Sequence, residues 1–330
     1  MQKYYIFLEK KYYTIKIFVL RNNNVFIQKD NSYMLNSDNI KNLAKEIGFD
    51  DCGISSVYVS DSYFENYNTW LSNNYNSDMY YLQKNSHIRK NPALLVENAK
   101  SVISVILNYY CEDFFKEKNF KISKYAYGID YHIVIKDKLK FLYRKLKEID
   151  PTINGRYFCD SAPIFERYFA QQSGLGFIGK NNCFISDEYG SFCFLGEIIL
   201  DRELDYDVEN KGECKSCNYC INACPTGALK EFSLDANKCI SYHTIENKSE
   251  IPDKILKQKG DWMFGCDICQ DVCPHNKQAK KHKHNVLEIL PQIKDIDFEL
   301  VNNLSELQFK EIYKNTALLR IRTKKNSFQN

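Results

Sequence analysis

Eight of the 13 cysteines in this chain are spaced as metal ligands rather than as disulfide partners. In Cys214-x2-Cys217-x2-Cys220-x3-Cys224-Pro225, three close thiolates can grip one [4Fe–4S] cube while the fourth, followed by proline, reaches to a second. Cys266-x2-Cys269-x3-Cys273-Pro274 repeats the tail of that run, and the isolated Cys239 supplies the member it lacks. The crossing rule for such runs gives one cluster to Cys214, Cys217, Cys220 and Cys273, and the other to Cys224, Cys239, Cys266 and Cys269. Two four-cysteine zinc sites also use Cys-x2-Cys pairs, but the x2-x2-x3-Cys-Pro spacing is rare among them. Cys52, Cys111, Cys159, Cys183 and Cys193 are scattered, mostly among apolar residues, and read as buried structural thiols. Paired clusters move single electrons, so a segment of this kind fused to a large N-terminal part implies an electron acceptor there.

Two further patterns carry less than their form suggests. Gly174-Leu-Gly176-Phe-Ile-Gly179-Lys180 has the GxGxxG spacing of a dinucleotide loop, but that loop needs a strand before it and a helix after it. Here a helical pattern precedes Gly174, which reads as its terminating glycine. Asp130-Tyr-His132 has the start of a cobalt-ligating Asp-x-His-x-x-Gly signature, yet Ile135 stands at the glycine position. A cobalt bound here is therefore expected to take no histidine from this motif.

These residues must be positioned by elements that the sequence also indicates. A helix pattern opens at Ser37-Asp38, a plausible cap, and stops at Gly48. Residues 101–107 and 192–200 are apolar runs that read as buried strands, and 133–148 as a basic amphipathic helix. Residues 162–172 read as a helix with Pro163 in its first turn, and 286–320 as helical. Residues 1–33 are tyrosine-rich and suggest a hairpin turning at Asn22–Asn24, as a peripheral extension. The net charge is only +3, so whole-molecule charge points to no polyanion partner, although a local basic patch is compatible with it. No apolar run reaches the ~18–20 residues of a membrane helix, and the N-terminus lacks a signal-peptide pattern. A cytoplasmic protein with no membrane partner is expected, and in that reducing compartment disulfides are disfavoured.

The order of motifs over residues 37–320 resembles the epoxyqueuosine reductase family, cobalamin-dependent enzymes that complete queuosine in transfer RNA. The residues that carry the resemblance are Ile88-Arg89-Lys-Asn-Pro92, Ala99-Lys100-Ser101, Tyr125-Ala-Tyr-Gly-Ile-Asp130-Tyr131-His132, Asp160-Ser161-Ala162-Pro163 with Glu166-Arg167, and Gly174 to Asn182. The cysteine runs complete it, together with Cys239-Ile-Ser241-Tyr242-His-Thr244 and Gly265-Cys-Asp267-Ile-Cys-Gln-Asp-Val-Cys-Pro274. The resemblance implies an α+β fold. An α/β cobalamin-binding core over 36–205 would follow an extension over 1–35. A ferredoxin-like domain with two [4Fe–4S] clusters over 206–285 and a helical segment over 286–330, a shortened helical repeat, would come after it.

It also implies base-off cobalamin fed by the clusters, a low-potential electron donor of flavodoxin or ferredoxin type, and a tRNA substrate carrying epoxyqueuosine, acted on by a monomer. Low-valent cobalt would reduce the epoxide to an alkene. Expelling the epoxide oxygen requires a proton donor, and the resemblance puts that role on Asp160, whose carboxyl desolvation would keep protonated. The simpler alternative is that Asp160 or Ser161 caps the following helix. By the same resemblance Arg89, Tyr131, His132, Lys180 and Asn182 line the corrin or substrate pocket, and Ser241 and Asp267 sit where the cluster domain meets cobalamin. Phosphate contact needs basic surface, for which Lys277, Lys280, Lys281 and Lys283 in Pro274–His284 are candidates. The competing expectations are a corrinoid iron–sulfur reductase of a small molecule, of dehalogenase type but without a twin-arginine signal, and an electron-transfer module that would leave the Asp160 motif unexplained.

Overall fold

A computed structural model describes residues 35–323 and, N-terminal to them, the backbone of three strands. Those strands, Tyr5–Lys10, Tyr13–Val19 and Val25–Lys29, form one antiparallel sheet, so the expected hairpin has a third strand. Its expected turn at Asn22–Asn24 lies outside the described residues.

The core is a four-stranded, wholly antiparallel sheet in the order Asp51–Ser56, Ser101–Asn108, Cys193–Leu200, Gly155–Phe158. Every residue of Ser101–Asn108 is buried, because helices cover both faces of the sheet. Helices Ser37–Ile47 and Tyr131–Ile149 pack on one face through Ile40, Ala44, Ile135, Leu139 and Leu142. Helix Glu166–Gln172 packs on the other, where Phe165, Tyr168 and Phe169 meet Val102, Phe158 and Ile199. Gly196 lets the Tyr131 helix approach this closely, since a Cβ there would stand 2.6 Å from the Ile135 side chain. The mixed α+β class expected from the sequence is the class observed.

Local capping shifts some of the expected boundaries. The first helix is capped by Asn36, whose side chain accepts from the Asn39 N–H at 2.9 Å, and it ends at Gly48 with φ +91°. The helix expected over 162–172 begins only at Glu166, and neither Asp160 nor Ser161 caps it; Phe165 holds the cap position without a side-chain bond. Residues 159–164 are tied instead into tight turns by Ser161 N–H to Cys159 O (2.6 Å) and Ile164 N–H to Ala162 O (2.8 Å).

The GxGxxG segment forms a hairpin, Phe177–Ile178 against Phe184–Ile185, and no helix follows it. Gly174 has φ +77°, and a Cβ on Gly176 would collide with the Ile185 carbonyl oxygen. Gly174 therefore ends the helix Glu166–Gln172, and Gly176 and Gly179 serve the tight hairpin, where a Cβ on either would meet Ile185.

The C-terminal residues are short helical turns rather than one long element, and Ala317–Thr323 is a 3-10 helix. They share an apolar cluster with the middle of the chain. Ile293, Phe309, Tyr313 and Leu318 pack with Phe115, Ile122, Tyr127 and Phe264. Strand Trp262–Phe264 in turn pairs in parallel with Lys121–Ile122. Among the described residues no helix is long and apolar enough to cross a membrane.

Candidate active site and cluster thiols

A cleft of about 1750 Å³ runs between the core and the cysteine-rich segment. That exceeds the ~300–1,000 Å³ typical of small-molecule pockets. One wall is aromatic, with Tyr63, Tyr67, Trp70, Tyr125 and Phe165, and the other carries Cys239, Ser241 and Tyr242. A flat, bulky macrocycle together with a nucleoside fits a space of this size and lining, which is the test that a corrinoid must pass here.

Asp160 stands at one end of the cleft on a backbone with φ +54°, a left-handed conformation that aspartate adopts more readily than most residues. The Tyr131 hydroxyl donates to its Oδ2 at 2.5 Å, and His132 Nε2 lies 3.3 Å from the same oxygen. His132 Nδ1 meets Asp130 Oδ1 at 2.7 Å, and Arg320 Nη2 is 3.0 Å from His132 Nε2. Both ring nitrogens are thus engaged, in keeping with the expectation that this histidine does not ligate cobalt. Tyr131 is fixed by stacking on Phe194, with centroids 4.4 Å apart and rings within 5° of parallel.

The electrostatics correct one expectation. Burial raises the Asp160 carboxyl, but the His132 and Tyr131 hydrogen bonds and the His132 and Arg320 charges outweigh it and hold the group below the usual carboxylate range. His132 moves up: burial lowers it, and the bonds to Asp130 and Asp160 more than compensate. Both shifts favour a charged Asp160 beside a His132 of raised proton affinity. Desolvation alone therefore does not keep Asp160 protonated.

Behind Asp160 lie two acids to which the sequence reading gave no role. The Asp160 backbone N–H donates to Glu166 Oε1 at 2.5 Å. Glu197, fully buried in the strand Cys193–Leu200, meets the Glu166 carboxyl. Burial and the neighbouring Asp160 charge push Glu166 up to about 7. The only signal for Glu197 was one acid in the middle of an otherwise apolar run, Phe194-Leu-Gly-Glu-Ile-Ile-Leu200. Arg320, carried in by the C-terminal turn, had no signal at all.

The remaining expected residues divide. Arg89 lines the cleft and donates from Nη1 to the Ile164 carbonyl at 2.8 Å. Asn182 lines it with φ +62°, and its carbonyl accepts from Arg167. Ser241 lines it as well. Two residues lie elsewhere. Lys180 does not itself line the cleft: its Nζ pairs at 2.7 Å with Glu231 on the cleft rim, and its backbone N–H donates to Cys214 Sγ at 3.4 Å. Asp267 is buried away from it, bound by Ser123 Oγ and the Lys124 N–H, with Lys124 Nζ at 3.7 Å.

The thiols fall into two groups of mutual neighbours. Cys273 is surrounded by Cys214, Cys220 and Cys217. Cys266 neighbours Cys239 and Cys224, and Cys269 neighbours Cys266 and Cys239. Each run therefore sends its proline-linked cysteine to the other run's group. Among the described residues no three His, Cys, Asp or Glu side chains converge as the ligands of one metal ion would. The Cys214 group opens on a surface hollow lined by Cys214, Cys217 and Tyr219, whereas Cys239 of the other group lines the cleft. Cys183, expected to be merely structural, neighbours Cys269.

The four lysines expected to meet RNA are all exposed, and none lines the cleft. Their segment is anchored to the sheet by Asn108 Nδ2 to Lys280 O (2.8 Å), His282 N–H to Tyr110 O (2.9 Å) and His284 to Asp50 (2.7 Å). It is a fastened ledge rather than a loose linker. Lys280 also pairs with Glu188 and Lys281 with Glu288.

Comparison with known proteins agrees with this layout. Residues 89–161 match the family "Epoxyqueuosine reductase QueG, DUF1730", and 213–276 match the "4Fe-4S double cluster binding domain". The epoxyqueuosine reductase of Leadbetterella byssophila is 42% identical over 284 residues, covering 86% of this chain and 93% of that protein. A crystal structure of epoxyqueuosine reductase with an epoxyqueuosine-modified tRNA-Tyr stem loop superposes with a TM-score of 0.80 at 29% identity, covering 88% of this chain and 79% of that one. A Bacillus subtilis epoxyqueuosine reductase, whose aspartate catalytic loop is described as swung out of the active site, gives 0.78 at 28% identity, with 88% and 79% covered.

Proposed function

Because the chain belongs to the epoxyqueuosine reductase family, we propose that it reduces epoxyqueuosine to queuosine in the anticodon loop of transfer RNA. The observation that carries this reading is the cleft itself: Asp160, Tyr131 and His132 stand at one end, and a thiol group suited to an iron–sulfur cube opens on its wall through Cys239.

Residues 36–205 serve as the cobalamin and substrate core, 206–285 as the two-cluster domain and 286–330 as a helical C-terminal segment, of which Ile293, Phe309 and Leu318 pack against both. Cys214, Cys217, Cys220 and Cys273 hold the first cluster near the surface, where a flavodoxin- or ferredoxin-type donor can deliver electrons. Cys224, Cys239, Cys266 and Cys269 hold the second beside the cleft. The cleft lined by Arg89, Asn182 and Ser241 would hold base-off cobalamin, which would provide the low-potential electrons for reducing the epoxide.

The chain's own residues supply the rest. Asp160 delivers a proton to the departing oxygen, recharged by His132, whose proton affinity is raised by its bonds to Asp130 and Asp160. Tyr131 orients the Asp160 carboxyl through its 2.5 Å hydrogen bond. Arg89, Asn182 and Ser241 contact the corrin or the nucleoside. Lys180 and Asp267 act outside the cleft: Lys180 shields the first thiol group, and Asp267 fastens the Ser123–Lys124 turn to the cluster domain. Lys277, Lys280, Lys281 and Lys283 offer phosphate contacts on their ledge, away from the reacting base. A tRNA substrate places the protein in the cytoplasm.

The test is anaerobic purification with iron, sulfide and added cobalamin, followed by assay on tRNA carrying epoxyqueuosine. About eight irons, two four-iron clusters, with bound corrinoid and conversion to queuosine are expected. Bound corrinoid without conversion would instead indicate a small-molecule reductase, and clusters without corrinoid an electron carrier.

A further inference from the structure

Resting on that reading, we infer that Glu166 and Glu197 form a proton-sharing carboxyl pair that supplies the second proton of each turnover. Reducing an epoxide to an alkene consumes two electrons and two protons and releases the oxygen as water. The electrons come from the low-potential donor through the clusters. Asp160 with His132 accounts for one proton, and a cleft filled by corrin and nucleoside admits little water to provide the other.

The geometry shows where the second can be kept. Glu197 is 0% exposed on a central strand. Neither of its carboxyl oxygens faces an N–H or O–H donor. The carboxyl beside it is that of Glu166, and two carboxylates cannot hydrogen-bond each other. A proton between them satisfies both, in the manner of paired acids that cannot both ionise.

The groups facing the pair leave no other solution. Asp160 and Cys159 approach from the turn after Gly155–Phe158, and His132 from the Tyr131 helix. No cation forms an ion pair with either glutamate among the described residues. Glu166 alone of the two lines the cleft, beside Asp160, whose N–H it holds at 2.5 Å. The proton passes from the Glu197 carboxyl to Glu166 and from Glu166 into the cleft, to the oxygen or to the spent Asp160 carboxylate. The pair is left with one extra negative charge until product release readmits water. The raised proton affinity of both acids agrees with this storage role.

Glu197→Gln tests it, because an amide keeps the bond to Glu166 and the side-chain shape but carries no transferable proton. Infrared spectra of the holoenzyme without substrate should show a protonated-carboxyl band at pH 8 that disappears in Glu197→Gln and shifts in frequency in Glu166→Gln, where buried Glu197 keeps its proton but loses its carboxyl partner. Single-turnover reduction by Glu197→Gln should match wild type near pH 6 and fall about ten- to a hundredfold by pH 8, a loss on the scale of general-acid effects. Absence of the band, or a pH profile that superimposes on wild type, overturns the proton store. A wild type that shows the band but leaves epoxyqueuosine unreduced overturns the functional reading, and with it the use of the stored proton.

Discussion

Replacing Glu166 with glutamine should make the folded protein more stable at neutral pH, even though it damages the site. The carboxyl, ordinarily near 4.5, is pushed up to about 7 by burial and the Asp160 charge. Below about pH 4.5 the folded and unfolded states both hold the proton, and the group contributes no slope. Between about 4.5 and 7 the unfolded chain has released it and the folded chain has not, so stability falls as pH rises. Above 7 both are ionised and the loss is complete. The separation of about 2.5 units corresponds to roughly 3 kcal/mol at about 1.4 kcal/mol per unit. The amide retains the acceptor for the Asp160 N–H, so the hydrogen bond at 2.5 Å survives. Anaerobic thermal unfolding of the cluster-loaded protein at pH 4.5, 6 and 8 should give curves for wild type and Glu166→Gln that nearly coincide at 4.5. They should separate by roughly 6–12 °C at pH 8, taking about 2–4 °C per kcal/mol for a domain of this size. His132 contributes in both proteins alike: its raised proton affinity stabilises below about 6.5 and is lost as pH rises through its folded value. The difference between the two curves therefore reports Glu166 together with its effect on the Glu197 carboxyl beside it. A constant offset at all three values, or a variant less stable at pH 8, would refute the reasoning that this carboxyl is held protonated by burial.

Other outcomes follow from the same geometry. Asp160→Ala should keep iron content and corrinoid binding while lowering turnover by about 10²–10⁴-fold; near-normal turnover would remove its role as donor. Cys273→Ser should degrade the cluster held by Cys214, Cys217 and Cys220, and Cys224→Ser the other, as read by electron paramagnetic resonance; a swapped pattern would reverse the crossing. Replacing Lys280 and Lys281 together by alanine should weaken tRNA binding uniformly and flatten its salt dependence by about one unit or more of logarithmic slope. An unchanged slope would place the RNA elsewhere.

The cysteine pattern was readable in the sequence because cluster ligands are set by short spacings that fold little affects. Asp160, Tyr131, His132, Arg89, Asn182 and Ser241, expected from resemblance, all reach the cleft. Lys180 and Asp267 do not, because a motif places a residue near a site without fixing which way its side chain turns. Glu231 and the Ser123–Lys124 turn claim those two side chains instead. The start of the Glu166 helix was misplaced because Pro163 and Ala162 suit a first turn, whereas the left-handed backbone at Asp160 breaks the chain there. Arg320 was invisible since it arrives from the far end of the chain to meet His132 and Glu246. Only tertiary packing reveals such a partner.

The order of the central sheet has a consequence for how the protein is made. Strand Asp51–Ser56 pairs with Ser101–Asn108 early in synthesis, but the strand that shields the other edge of Ser101–Asn108, Cys193–Leu200, emerges much later. At ~5–20 residues per second that edge waits on the order of ten seconds as the ribosome works onward. Val102, Ile103, Val105, Ile106 and Leu107, all fully buried in the finished sheet, are meanwhile an open apolar template for any other strand. Nascent chains are therefore most prone to aggregate in that interval, before either cluster can be loaded, and holding chaperones acting then should raise the yield of active enzyme more than added iron does.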